Sequence, residues 1–456
     1  MKEIARHIFD HALRESSIEQ AFTRHVLCER GVLRICEDLY DLNSYDRVSV
    51  VAIGKAAHSM LTALHEQTGE RFEGIVASPI EPEFHIRGFR YFHGGHPMPN
   101  AESIRAADAM LKSLRTMNEA SLVIYLVSGG GSATAEKPTD DEISLDDLIE
   151  TYRVLVHSGA PIGEINTIRK HLSAIKGGRL AEAAYPAQQV SILVSDVPDR
   201  MPDALASGPT MPDSTTVEDC HVITEKYNLI AQFPQSVREL FQLHSLDETP
   251  KSDDPTFIRA RWWTILSNSA LIAAAAKKSD DAAFIRARWW TILSNSALIA
   301  AAAKEAQRQG FVVEIDNSCD DRDYAAAADY LLQRLHDLRK QHERVCLLSG
   351  GEVTVHVEGG GTGGRNQQFA LYCAAKIASK TVCILSAGSD GIDGNSAAAG
   401  AIADGTTLER AKARGLHASA HLTRFDAYPL FEALGDAVVI GPTGNNLRDL
   451  RILLAY

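Results

Sequence analysis

The chain has 456 residues, 45% of them hydrophobic and 23% charged. That is the balance of a folded globular protein, long enough that two domains are expected, and it excludes disordered, collagen-like and coiled-coil chains. With 46 Lys and Arg against 59 Asp and Glu the net charge is −13, the wrong sign for an unpatterned nucleic-acid binder. An anionic small substrate stays admissible where the site supplies its own cations. The seven cysteines (28, 36, 220, 319, 346, 373 and 383) are scattered, with no CxxC pair. Reduced thiols in a cytosolic compartment fit this usage better than a disulfide frame or zinc ribbon.

The first residues, MKEIARHIFDHALRESS, carry Lys2, Glu3, Arg6 and Asp10 inside any apolar run. They read as an amphipathic helix with Ile4, Ile8 and Ala12 on one face, not as a signal peptide. Apolar stretches such as Ala270 to Ala276 fall far short of the roughly 20 residues of a membrane span. A soluble, cytoplasmic protein is expected, with no membrane partner.

Strand-like apolar runs that end in glycine turns then alternate with helical patterns. They are 48–53 before Gly54, 122–127 before Ser128-Gly-Gly-Gly, 190–194 before Ser195-Asp196, 345–348 before Ser349-Gly-Gly, and 382–385 before Ser386-Ala-Gly. Unbroken apolar strands followed by helices predict an α/β fold with a mostly parallel sheet covered on both faces. Ligands of such sheets gather at the carboxyl ends of the strands. A polar, proline-punctuated stretch at 231–256 predicts a boundary there, dividing the chain into 1–245 and 246–456.

Residues 251–277 recur at 278–304, differing only at Pro255/Ala282 and Thr256/Ala283. Solenoid repeats diverge and need more units, so this is a tandem duplication of one strand-plus-helix unit. The second copy continues through its helix to Gly310 and a strand at Phe311–Ile315. It is therefore expected to occupy the sheet, with the first copy extruded and its Trp262 and Trp263 left without a core. The rival arrangement keeps the strand from copy one and takes only the helix from copy two.

Six loops carry candidate chemistry. Lys55 follows a strand and Gly54, without the spacing of a P-loop; a solvated lysine is the bland alternative. Ser128, Gly129, Gly130, Gly131 and Ser132 free backbone amides for an anion, or else form a flexible turn. Arg169, Lys170, Lys176 and Arg179 gather positive charge, with 169 and 176 on one face if helical; they make either an anion-facing wall or a solvated basic face. Asp196 ends a strand, a position suited to a metal ligand, a general base or a turn cap. Strand, turn and strand across Gly350, Glu352 and 353–357 lead into a glycine-rich loop. That loop opens a helix at Arg365 and Asn366, where Arg365 can swing onto phosphoryl charge. Asp390 and Asp393, three apart, suit a Mg²⁺ held partly by substrate phosphates, or Asx turns. Together these are the parts of phosphoryl transfer.

The segments AIGKAA (52–57), SGGGSA (128–133), RKHLSAIKGGRLA (169–181), SDVP (195–198), SGGE (349–352), GGRNQ (363–367), GSDGIDG (388–394) and GPTGNN (441–446) closely resemble glycerate 2-kinases with a C-terminal MOFRL domain. The resemblance implies a Rossmann-like kinase domain over 1–245 and a second α/β domain over 246–456. The second would include the MOFRL region at about 343–456, with the active site in the cleft between the domains. It implies ATP-dependent phosphorylation of the 2-hydroxyl of D-glycerate to 2-phosphoglycerate, with Mg²⁺ or another divalent cation. Lys55 and Arg365 would be the principal catalytic cations, and Asp196 and Asp390 bases or metal ligands together with Asp393. Ser128 to Ser132, Lys176, Gly350, Glu352 and Asn366 would bind the nucleotide. Partners would be small molecules, without nucleic acid, a homodimer being left open. Two alternatives are a hydroxypyruvate reductase, against which the missing dinucleotide fingerprint argues, and a nucleotide-binding module impaired by the duplication.

Overall fold

The computed structural model describes residues 1–69, 72–194, 202–263, 291–293, 295–357, 360–443 and 447–456. Asp196 and most of the duplicated segment lie outside them. The chain divides into two compact units, one formed by Ala21–Ile265 and the other by Met1–Gln20 with Leu293–Tyr456.

The first unit opens with a small antiparallel meander, β1 (Val26–Glu29), β2 (Val32–Ile35) and β3 (Asp38–Asp41). Its main sheet contains β4 (Arg47–Ile53), β5 (Glu73–Ser78), β6 (Phe89–His93), β7 (Ser121–Ser128), β8 (Gln188–Val194), β9 (Ala260–Trp263) and β10 (Thr291–Leu293). The order is β6-β5-β4-β7-β8, with β9 and β10 beside β8 at the edge. The pairings of β4 through β9 are parallel. Every residue of β7 is buried, as expected of a β-branched run covered on both faces. The order is that of a doubly wound sheet, reversing between β4 and β7.

The second unit is mixed. β11 (Val312–Ile315) pairs parallel with β12 (Val345–Gly351). β16 (Asp449–Ala455) then runs antiparallel between β12 and β13 (Val382–Gly388). β14 (Gly400–Asp404) and β15 (Ala437–Val438) complete the sheet. The strand expected over 353–357 is reduced to a bridge between Thr354 and Asp323. The N-terminal helix Lys2–Glu15 buries Ala5, Ile8, Phe9 and Ala12 in this unit, a face displaced from the expected Ile4. Among the described residues no helix is long and apolar enough to cross a membrane.

The polar stretch at 231–256 is not where the chain divides. Val237, Leu240 and Phe241 of the helix Gln235–Gln242 are buried in the core of the first unit, and residues to 263 remain with it. The duplicated unit follows neither arrangement in full: copy two supplies a strand and its helix as expected, but copy one is not extruded, because its strand β9 also pairs with β8. Copy one supplies β9, copy two supplies β10 and the helix Asn295–Arg308. Trp262 and Trp263 are buried rather than exposed. The cause lies upstream of the strand. Lys251 donates to Thr249 Oγ1 at 2.8 Å, Asp254 caps the turn Pro255–Phe257, Phe257 packs on Trp262, and Trp262 Nε1 donates to Thr210 O at 2.8 Å.

Deleting 264–290 joins Trp263 to Thr291 and keeps Pro255 and the buried Thr256. Deleting 251–277 leaves a chain of equal length with Ala282 and Ala283 in their places. Both should fold. The first should melt at the higher temperature, because proline at the start of the turn restricts the unfolded chain by about 0.4–1 kcal/mol. Thermal denaturation of the two chains checks this, and the opposite order would contradict it.

Candidate active site

In the first unit the loops after β4 and β7 meet at the reversal of strand order, where doubly wound sheets bind ligands. Gly54 adopts φ +113°, and a Cβ there would stand 2.5 Å from Ser128 O. Only glycine lets the two loops close on each other. Lys55 N donates to Gly129 O at 2.9 Å. Ser128 Oγ accepts from Ala56 N at 3.0 Å and donates to Ile53 O at 3.3 Å. The Ser132 and Ser207 hydroxyls are 2.8 Å apart.

Both serines therefore shape the cradle. The N–H groups of Gly130, Gly131 and Ser132 have no acceptor among the described residues. The half-buried Lys55 side chain forms no ion pair among them either. Free amides beside a free ammonium make a site for an oxyanion. Gly130 is at φ +81°, and a side chain there would press on Lys55 Cγ and on His96 Nδ1. His96 is thus a member of the site that the sequence reading missed. Desolvation and the Lys55 charge hold its imidazole below the ordinary histidine range.

The basic segment behaves otherwise than expected. Its helix is Ile162–His171, so Lys176 lies beyond it and shares no face with Arg169. Lys176 is fully buried, bonded to Glu136 and, at 3.0 Å, to Tyr152 OH. Burial pulls its ammonium down to about 7. It is committed to the interior rather than offered to a nucleotide. Lys170 pairs at 3.1 Å with both Asp203 and Asp213.

In the second unit Arg365 is the first residue of the helix Arg365–Lys376, capped by Gly364. Its guanidinium is anchored rather than swinging. Nε and Nη2 bond to the buried Asp449 at 2.7 and 3.0 Å, and Nη2 reaches Glu352 at 2.8 Å. The two carboxylates outweigh burial and raise its pKa. About a third of the side chain stays exposed. Asp449 and Arg451, absent from the sequence reading, lie beneath it on β16. Arg451 is wholly buried and donates to Gly350 O and Gly351 O at 2.9 and 3.0 Å.

Several expected ligand residues are consumed by the fold. Gly350 N donates to Asn317 Oδ1 at 2.8 Å, and a Cβ on Gly350 would strike Asn295. Asn366 is buried, accepting from Ser386 Oγ at 2.6 Å and donating to Asp393 at 3.3 Å. Asp393, expected as a metal ligand, accepts the Asn366 and Gln367 amides at 3.1 and 2.9 Å. It caps the helix that presents Arg365. Burial, with Asp449 adding to it, pushes its carboxyl up to about 7. Asp390 is half-buried, with Oδ1 accepting from Ile392 N at 3.2 Å. Asp390 and Asp449 both flank Gly388. Among the described residues no group of three or more His, Cys, Asp or Glu side chains is placed to hold a metal ion. Surface cavities of about 360 and 580 Å³ lie elsewhere and include no candidate site residue.

A Rossmann-ordered sheet with glycine-rich loops at its switch point, joined in sequence to a mixed α/β unit with a carboxylate-anchored arginine, is a two-unit α/β protein. Residues 4–242 match the family described as a domain of unknown function, DUF4147, and residues 345–449 match the MOFRL family. A D-glycerate 2-kinase of Thermotoga maritima is 36% identical over 423 residues, 91% of this chain and 92% of that protein. An Agrobacterium vitis protein provisionally named hydroxypyruvate reductase is 34% identical, over 90% of this chain and 87% of its own. The crystal structure of glycerate kinase from Thermotoga maritima superposes with a TM-score of 0.81 at 32% identity, covering 100% of this chain and 99% of that one. The chain belongs to the glycerate 2-kinase family with an N-terminal DUF4147 domain and a C-terminal MOFRL domain.

Proposed function

We propose that this protein is a phosphotransferase that moves the γ-phosphoryl group of ATP to the 2-hydroxyl of D-glycerate, giving 2-phosphoglycerate and ADP, in the cytoplasm. The observation that carries the reading is Lys55, unpaired among the described residues, against the amides of Gly130, Gly131 and Ser132 that have no acceptor among them. Such a cradle suits a transferring phosphoryl group, whose catalysis is mostly positioning and charge stabilisation. In the second unit, the carboxylate-anchored Arg365 is the other catalytic candidate. Asp390 and Asp196 are the candidates for receiving the hydroxyl proton. Mg²⁺ enters as part of the substrate, Mg·ATP.

The reductase alternative is disfavoured by position. The glycine run at 359–364 matches GxGxxG at 359, 361 and 364 only as any run of glycines would, and it follows the bridge at Thr354 rather than a strand, while the loop at the switch point, Gly-Lys-Ala-Ala, lacks the fingerprint.

The test is ADP release across a panel of small hydroxy acids, with phosphorus NMR of the product. D-glycerate should be phosphorylated at the 2-position. A 3-phosphate product, or NADH oxidation by hydroxypyruvate without ADP release, would overturn the reading.

A further inference from the structure

The four cations of 169–179 are not equally occupied. Lys170 is neutralised by Asp203 and Asp213, Lys176 is bonded to Glu136, and Arg179 donates to the carbonyls of Asp247 and Glu248. Arg169 is the one with no hydrogen bond or ion pair to any described residue. Its Nε is buried and unpartnered, while the side chain as a whole remains half-exposed. The guanidinium carbon lies 4.6 Å over the Tyr152 ring. Glu136, the carboxylate buried beside Tyr152, is already spent on Lys176, Tyr152 and Ser173. One turn earlier on the same helix face Asn166 is buried, and its amide also makes no hydrogen bond to a described residue.

An arginine held by ring stacking, with its fork free and a carboxamide one turn away, is arranged to take a planar anion through two oxygens. Desolvation works against its charge, so the guanidinium gains from an incoming counter-charge. The helix is also tied to the oxyanion cradle. Lys170 bonds to Asp203 in the short helix Pro202–Ser207, and Gly177 N donates to Ser207 O at 3.1 Å. Ser207 Oγ then meets Ser132 Oγ. A kinase acting on a hydroxy acid binds two anions, a phosphate chain and a carboxylate. Lys55 and the free amides suit the first.

We propose that Arg169, supported by Asn166, binds the carboxylate of the hydroxy-acid substrate and selects acids over neutral polyols. The inference rests on the kinase reading for the identity of the acid. Steady-state kinetics and calorimetric titration of D-glycerate into the full chain test it, with Arg169→Ala, Arg169→Lys and Asn166→Ala. Arg169→Ala should raise the KM and Kd for D-glycerate about 100-fold, the loss expected for charge-assisted hydrogen bonds, with the KM for ATP nearly unchanged. Its preference for D-glycerate over glycerol should shrink by a similar factor. Arg169→Lys should fall between.

An unchanged glycerate affinity, or a rise confined to the KM for ATP, would overturn the proposal. If Arg169→Ala does not fold without the Tyr152 stack, Arg169→Lys and Asn166→Ala decide by the same measurement. A wild-type chain that binds hydroxy acids without phosphorylating them refutes the kinase reading alone. A wild type that phosphorylates D-glycerate, with variants of unaltered affinity, refutes the carboxylate site alone.

Discussion

Lys55→Ala should fold like the wild type and turn over about 10³-fold more slowly, the scale of losing a positioned cation in phosphoryl transfer. The contact that fixes the loop, Lys55 N to Gly129 O, is made by the main chain and survives the substitution. The side chain is half-buried and unpaired among the described residues, so its removal strands no buried counter-charge. The loss should therefore fall on kcat, with little change in melting temperature. Gly54→Ala is the contrasting case. It forces a Cβ to within 2.5 Å of Ser128 O at a φ of +113°, a backbone region costly to any L side chain. Circular dichroism with an ADP-release assay separates the two. A Lys55→Ala enzyme with substantial turnover would remove this lysine from the chemistry.

The features that could be read from the sequence are those whose chemistry is contiguous. β4, β7, β8, β12 and β13 announce themselves by unbroken apolar runs. Lys55 and the cradle lie directly after two of those runs. Residues whose partners come from far along the chain were not legible. Lys176 has the local look of an anion ligand beside glycines, and only the fold reveals that Glu136, forty residues earlier, claims it. Asn366 and Asp393 sit in polar glycine-bounded loops, which look the same in sequence whether they face a ligand or cap a helix. His96 was missed because β6, FRYFH, alternates instead of forming an apolar run. Asp449 and Arg451 left one signal unused: two opposite charges in a terminal strand, DLRILLA, that is otherwise apolar. Downstream continuity correctly places the strand and helix of copy two but not copy one, whose strand also joins the sheet. The tethers at Lys251, Asp254 and Phe257 anchor copy one from its other side.

Arg365 calls for a different pair of substitutions, because its anchoring makes alanine an ambiguous probe. Asp449 is buried, and two of its contacts are the Arg365 bonds at 2.7 and 3.0 Å. Arg451 Nη1 stands 3.9 Å away. Arg365→Ala leaves that carboxylate short of counter-charge. Breaking a fully buried pair costs 3–5 kcal/mol; with about a third of the arginine exposed, solvent screening brings the expected loss to about 2 kcal/mol. Inactivity of that variant would mix stability with chemistry. Arg365→Lys keeps a positive charge beside Asp449 and Glu352 but loses the planar fork that bonds Asp449 through two nitrogens. It should melt close to the wild type. Its kcat should still fall by about 10²-fold or more, since a cation shifted from the phosphoryl position no longer stabilises the charge that develops there. If Arg365 only held the fold together, lysine would restore turnover as well as stability. Measuring kcat and thermal denaturation on both variants distinguishes the roles: an active, stable Arg365→Lys enzyme would make the guanidinium a structural strut, and a stable, inactive one places it at the reacting phosphoryl group.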